Sequence, residues 1–203
     1  TFISFSEYSE EIKHSNFVVY EDWWIAKPGI ILSKIKSKLG LSQRIFARKT
    51  ELKRIDKLQA DIFLNENHIY GTVKSKYKLG LFYNEELVAV ATFSPQRNLA
   101  VGRSVELVRF CSKNGTTIIG GLDKLVKYYG REFQPDHIMT YIDRDWGSGE
   151  AFLQIGFSKV SERNPIKFCI NTTTGERSII NSENTNCDLT LTNRGSIKVE
   201  KYL

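Results

Sequence analysis

Apolar and polar residues alternate from Val105 to Cys111 in β-branched company, which predicts a half-buried strand. Ile118 and Ile119 then run into Gly120-Gly121, and beyond the pair Leu122, Leu125, Val126 and Tyr129 recur at helical spacing. A helix is expected to start at the glycines and to stop at Gly130, followed by a strand from His137 to Ile142. Strand, helix and strand in that order make a βαβ unit, so the two strands are expected to be parallel neighbours.

The rest of the pattern fills in around this unit. Phe2 to Phe5 and Phe17 to Tyr20 read as short strands, with a helical stretch over 6–13 between them. From Pro28 an apolar stripe of Ile30, Ile31, Ile35 and Leu39 predicts a helix that Gly40 ends. Ala60 to Asn65 reads as a helix, and Tyr77–Tyr83 with Leu87–Phe93 reads as a hairpin turned at Asn84-Glu85-Glu86. Pro95 to Gly102 reads as a polar loop. Past Phe157 come short β segments, Lys167 to Ile170 and Ser196 to Tyr202, a turn at Thr174-Gly175-Glu176, and a polar loop over 181–186. The expected class is α/β (α+β): a mixed central sheet with helices on both faces in a domain over 56–160. A basic helical segment over 1–55 precedes it, and a β-rich extension over 161–203 follows.

Composition adds a partner. The 203 residues are 41% apolar and 12% aromatic, the make-up of a folded domain, and carry a formal net charge of +6. That charge favours acidic partners, nucleic acid first and an anionic membrane surface second. Its source is local: Lys34, Lys36, Lys38, Arg44, Arg48, Lys49, Lys53 and Arg54 face a single acid, Glu51, so this stretch alone carries eight positive and one negative charge. Such a surface binds phosphates by counterion release without reading sequence; the alternative is a solvated helical face. No apolar run reaches the roughly 20 residues of a membrane helix. Three cysteines, Cys111, Cys169 and Cys187, are odd in number and lack CxxC spacing. Neither zinc nor a disulfide framework is expected, and a reducing intracellular compartment is.

Candidate chemistry sits at the ends of strands. Asp143-Arg144-Asp145-Trp146-Gly147-Ser148-Gly149 follows the second strand of the βαβ unit, where α/β sheets place their ligand crevices; the alternative is a solvated turn with Ser148 as helix cap. Glu21 and Asp22, beside Trp23 and Trp24, are the residue type that holds Mg²⁺ in a nuclease, or else they cap the helix that begins at Pro28. His68 lacks a second ligand at metal spacing and reads as a hydrogen-bonded loop residue, and no metal site is assigned.

Several motifs together resemble a known family. Phe63-Leu64-Asn65-Glu66-Asn67-His68-Ile69-Tyr70-Gly71, Gly80-Leu81, Leu87-Val88-Ala89-Val90 with Phe93, Glu106-Leu107-Val108-Arg109-Phe110, Gly120-Gly121 with Lys124-Leu125, Tyr141-Ile142-Asp143-Arg144 and Gly156-Phe157 follow one another in the order of the carboxy-terminal domain of phage Hef-like homing endonucleases. The likeness spans roughly two thirds of the chain, from Tyr20 to Phe157. The same core resembles the GNAT acyltransferase superfamily, in particular the Mom-type phage DNA-modification proteins. That resemblance implies a GNAT-like sandwich, with Asn114 to Leu122 where the family binds the pyrophosphate of acyl-CoA. A glycine pair at a helix start suits an anion, which marks Gly120, Gly121 and Lys124 as an anion or cofactor loop. The family's Q/R-x-x-G-x-G/A pattern is absent from it. By the Hef-like resemblance a nuclease core would lie upstream of Asp22-Trp23-Trp24, where little chain remains, so cleavage is not expected.

Three functions follow from these readings. The first is a nucleic-acid-binding protein (DNA or RNA) of mobile-element origin that uses the basic arm. The second is a GNAT-like transferase or DNA-modifying enzyme with acyl-CoA as cofactor, in which Asp143, Arg144 and Asp145 surround the reacting atom and Glu106 or Asp143 is the general base. The third is a non-catalytic RNA-binding component of a ribonucleoprotein such as an organellar ribosome.

Overall fold

The structure is a computed structural model that describes residues 1–5, 17–100, 102–180 and 187–203; the helix expected over 6–13 and the loop expected over 181–186 lie outside these residues. In chain order the elements begin with β1 (Phe2–Ile3), β2 (Val19–Tyr20), α1 (Glu21–Ala26), α2 (Pro28–Lys38), β3 (Gln43–Phe46), a 3₁₀ turn (Ala47–Lys49), β4 (Glu51–Arg54) and α3 (Lys57–Asn67). Next come β5 (Tyr77–Tyr83), β6 (Glu86–Phe93), β7 (Arg97–Leu99), β8 (Gly102–Ser112), β9 (Thr116–Ile119), α4 (Gly121–Phe133) and β10 (His137–Asp143). The chain closes with α5 (Glu150–Leu153), β11 (Ser158–Arg163), β12 (Lys167–Ile170), β13 (Arg177–Ile179), β14 (Leu189–Thr192) and β15 (Ser196–Tyr202). Two compact units form: the first is Thr1–Ile31 with Tyr141–Val199, the second Leu32–Thr140 with Glu200–Leu203.

The second unit holds the mixed α/β sheet. Its strands run in the order β10-β8-β6-β5-β4, antiparallel from β4 to β8 and parallel between β8 and β10. β5 and β6 form the expected hairpin. Asn84 (φ 49°) and Glu85 (φ 65°) are both left-handed, the backbone that a two-residue hairpin turn requires. α3 starts at Asp56, whose carboxylate accepts the Gln59 N–H at 2.8 Å, and packs Ala60, Phe63 and Leu64 against Val90. α4 buries Leu122, Leu125, Val126 and Tyr129; Tyr129 stacks on Phe93 at 4.0 Å and leans on Phe133 at 4.6 Å.

Three expectations need correction here. α4 does not stop at Gly130: it runs on to Phe133 and ends at Gln134 (φ 45°). Gly130 is an interior residue where a Cβ would come within 3.0 Å of Leu203, so the missing side chain makes room for the chain terminus. The loop expected at 95–102 contains β7, paired antiparallel with the start of β8. The basic segment is helical only to Lys38. From Gln43 exposed and buried residues alternate, period two replaces the helical period, and β3 pairs in parallel with β9.

The first unit is organised by a buried ion pair. Asp22 is fully buried on α1 and takes the Arg177 guanidinium in a two-pronged contact, Nη2 to Oδ1 at 2.9 Å and Nε to Oδ2. Arg177 also lies over the rings of Trp23 (4.3 Å) and Tyr20 (4.8 Å). Glu21 and Asp22 thus occupy the first turn of their own helix instead of capping the one at Pro28. β12 is the middle strand of a sheet ordered β13-β12-β14, and β1 pairs in parallel with β2. Cys169 on β12 is disulfide-bonded to Cys187, against the expectation of unpaired thiols: the fold brings their Cα atoms to 5.2 Å, which spacing in sequence could not reveal.

Removing one partner of the pair strands the other charge in a site without water. Arg177→Met is expected to cost about 3–5 kcal/mol in urea unfolding, and Phe93→Ala a similar amount through the cavity it opens; a loss below about 1 kcal/mol in either would contradict these packing roles.

Candidate functional site

The candidate site is built on β8 in the second unit. Along one side β8 pairs with β6, from Phe93↔Leu107 to Ala89↔Ser112. On its other side it pairs with β10 over three positions, His137↔Ser104, Ile138↔Val105 and Met139↔Glu106. A side chain makes the next step: Thr140 Oγ1 donates to the Leu107 carbonyl at 2.8 Å. β8 then continues over 108–112, every residue half-buried, whereas Ser104, Val105 and Leu107 are buried. Its register with β6 slips between Thr92 and Phe93, which leaves Val108 without a facing residue, as a bulge.

A polar chain ties the paired stretch of the two strands together. Ser104 Oγ and His137 Nδ1 share a hydrogen bond of 2.8 Å, and His137 Nε2 stands 3.2 Å from Glu200 Oε2. Glu106, at the last paired position, is half-buried, and its N–H donates to Ser94 Oγ. Arg109 donates to the Gly71 and Val108 carbonyls. Burial pushes the Cys111 thiol up to about 12, so it is a protonated packing group at neutral pH and no ready nucleophile.

The glycine turn lies after β9. Gly120 (φ +77°) is the N-cap of α4, and a Cβ on Gly121 would come within 2.9 Å of Ile118, so close strand-to-helix packing requires glycine at 121. The stretch that the GNAT resemblance assigns to a pyrophosphate is anchored: the Asn114 N–H donates to Asn67 at 2.7 Å, the Gly115 N–H to Ser33 at 2.8 Å, and β9 pairs with β3. Lys124 does not face outward. Its ammonium donates to the carbonyls of Ala47 (2.8 Å) and Thr50 and to the Thr50 hydroxyl, and desolvation lowers its pKa. A polar cavity of about 420 Å³ opens where β8 leads into β9, with Asn84, Glu86, Lys113 and Thr116 in its wall.

The eight basic residues part company. Lys34, Lys36 and Lys38 ride on α2; Arg44, Arg48 and Lys49 are exposed on β3 and the 3₁₀ turn; Lys53 and Arg54 on β4 meet Glu51 (2.8 Å) and Glu132. The parallel register of β3 and β9 brings the 3₁₀ turn to the glycine turn, where a Cβ on Gly120 would lie 3.7 Å from Ala47. Sequence gave no sign of that meeting.

The charged loop after β10 belongs to the first unit. Asp143 accepts the Asp145 N–H at 2.9 Å and so folds its own turn. Arg144 pairs with Glu162 at 3.0 Å. Asp145 is buried; its Oδ1 accepts from Tyr20 O–H (3.4 Å) and the Arg194 N–H (3.2 Å), while Oδ2 has no partner among the described residues. Burial, with the Asp143 charge next, pushes its carboxyl up to about 7, and the same burial raises Tyr20. Arg177, which shapes this unit, carried no local signal, because its partner is 155 residues away. His68 is hydrogen-bonded as expected, accepting the Tyr70 N–H at 3.1 Å. Among the described residues no cluster of three or more His, Cys, Asp or Glu could hold a metal ion, and no helix is long and apolar enough to cross a membrane.

No family model and no curated protein sequence matches the chain, so the Hef-like resemblance gains no support from these comparisons. Solved structures do match. An acetyltransferase from Bacillus subtilis in complex with CoA aligns over 76% of this chain and 99% of its own at 12% identity, with a TM-score of 0.52. The ribosomal-protein-S18-alanine N-acetyltransferase from Escherichia coli aligns over 75% and 93% at 9% identity, TM-score 0.52. Arabidopsis thaliana Naa50, bound to the bisubstrate analogue CoA-Ac-MVNAL, aligns over 76% and 99% at 14% identity, TM-score 0.52. At such identities the likeness shows the fold: an α/β GNAT-like mixed sheet with five helices among the described residues.

Asp145 supplies a pH test. Its folded pKa lies above the unfolded one, so between about pH 4 and 7 the folded chain keeps a proton that the unfolded chain has released. The resulting stability is complete at the acid end and is lost as pH rises through 7. Urea unfolding from pH 5 to 8 should show a decline of up to about 1.4 kcal/mol per pH unit that Asp145→Asn flattens. An unchanged slope in the variant would show that other groups set it.

Proposed function

We propose that this protein binds an acyl-CoA and transfers its acyl group to an amine. The observation that carries this reading is the bulged strand β8 that leads through β9 into the Gly120-Gly121 start of α4 in a GNAT-like sheet. Of the three matches described above, two contain CoA or a CoA conjugate and two are named as acetyltransferases. A thioester would supply an acyl carbon activated towards an amine: the C–N bond forms as the C–S bond breaks, the amine loses a proton, and CoA leaves as the thiol after taking one.

The chain's own groups divide the work. The bulged stretch of β8 over 108–112 would offer backbone groups to the pantetheine amides. The first N–H groups of α4, at Gly121 and Leu122, would hold the diphosphate. Glu106, at the third position paired with β10, would accept the proton that the attacking amine must lose. The loop departs from the family pattern, and Lys124 is committed to Ala47 and Thr50, so backbone groups bind the phosphates without that lysine.

Acetyl-CoA at 100 times its Kd should stabilise the protein by about 2.7 kcal/mol, visible as a rise in Tm. Glu106→Gln should keep that rise while kcat falls about 100-fold or more with an amine acceptor. No change in Tm and no heat of binding at millimolar acetyl-CoA would overturn the reading.

A further inference from the structure

Several cations of the second unit are tied to acids. Lys53, Arg54, Lys57, Arg103, Lys113 and Lys127 each pair with a carboxylate. Arg44, Arg48 and Lys49, by contrast, have no acidic partner among the described residues, and all three are exposed. They share β3 and the 3₁₀ turn with Phe46, a phenylalanine left 46% exposed. Strand alternation sets Arg44 and Phe46 on one face, with Ile45 buried behind them. The Arg48 guanidinium lies 5.1 Å from the Phe46 ring centre.

We propose that this strip binds single-stranded nucleic acid, with Arg44, Arg48 and Lys49 on phosphates and the Phe46 ring stacked on a base. Unpaired cations with an exposed aromatic between them are the two parts such binding needs, since charge follows the backbone and a π-face accepts any base. Arg48 over Phe46 can hold the ring in place and add its own plane to the stack. The strip accounts for part of the net charge of +6 and leaves Lys53 and Arg54 to their carboxylates. The inference stands apart from acyl transfer and is tested without acyl-CoA.

The experiment is a fluorescence-anisotropy titration of the whole chain with labelled single-stranded RNA and DNA, duplex DNA, and vesicles containing phosphatidylserine, at several salt concentrations. The triple substitution Arg44→Gln, Arg48→Gln, Lys49→Gln should weaken single-strand binding at least 10-fold and lower the slope of log K against log salt by about 2, near 0.7 for each lost phosphate contact. Phe46→Ala should weaken it about 10-fold with the salt slope unchanged, and Phe46→Tyr should restore it. The pair Lys53→Gln, Arg54→Gln should change little. Equal loss in that pair, wild-type affinity in the triple variant, or binding to duplex or vesicles as tight as to single strands would overturn the proposal.

Discussion

A long strand with unequal sides sets the form of the second unit. β8 is bonded to β6 along most of its length and to β10 over three positions, and the Thr140 hydroxyl adds a link to the Leu107 carbonyl. Everything near the candidate site depends on that asymmetry. The Ser104–His137–Glu200 chain fixes the paired stretch that ends at Glu106.

The two units handle charge in opposite ways. In the first, Asp22 and Arg177 are withdrawn from water together and satisfy one another within a cage of aromatic rings. Asp145 is buried close by without a full set of donors, and desolvation answers by keeping a proton on it. In the second unit Lys53, Arg54 and Lys113 pair with carboxylates at the surface, whereas Arg44, Arg48 and Lys49 are exposed without an acidic partner among the described residues.

The GNAT-like sheet carries a local change at the point where the resemblance would put a cofactor's phosphates. β9 and β3 form their own parallel pair, and Lys124 fastens the 3₁₀ turn to α4. This brings a basic turn against a glycine turn, two features separated by about seventy residues. The shared fold supplies a strand edge, while the added pair determines what stands beside it.

The sequence by itself determined the local elements. Period-two and helical spacing located β8, α4, β10 and the β5–β6 hairpin, because those patterns reflect burial on one face and survive in any context. It also showed where charge is concentrated. It missed the strand nature of 43–54, since short strands with basic exposed faces look like a solvated helix until a partner strand is present. Tertiary structure alone decided which carboxylates and cations meet: Asp22 with Arg177, Asp145 with Tyr20 and Arg194, Lys124 with Ala47 and Thr50. It also decided that Cys169 bonds Cys187 and that Gly130 lies inside a helix. The reason is physical: a side chain's neighbours in sequence fix its local backbone, whereas its pairing, burial and proton affinity are set by groups that only the folded chain brings within reach.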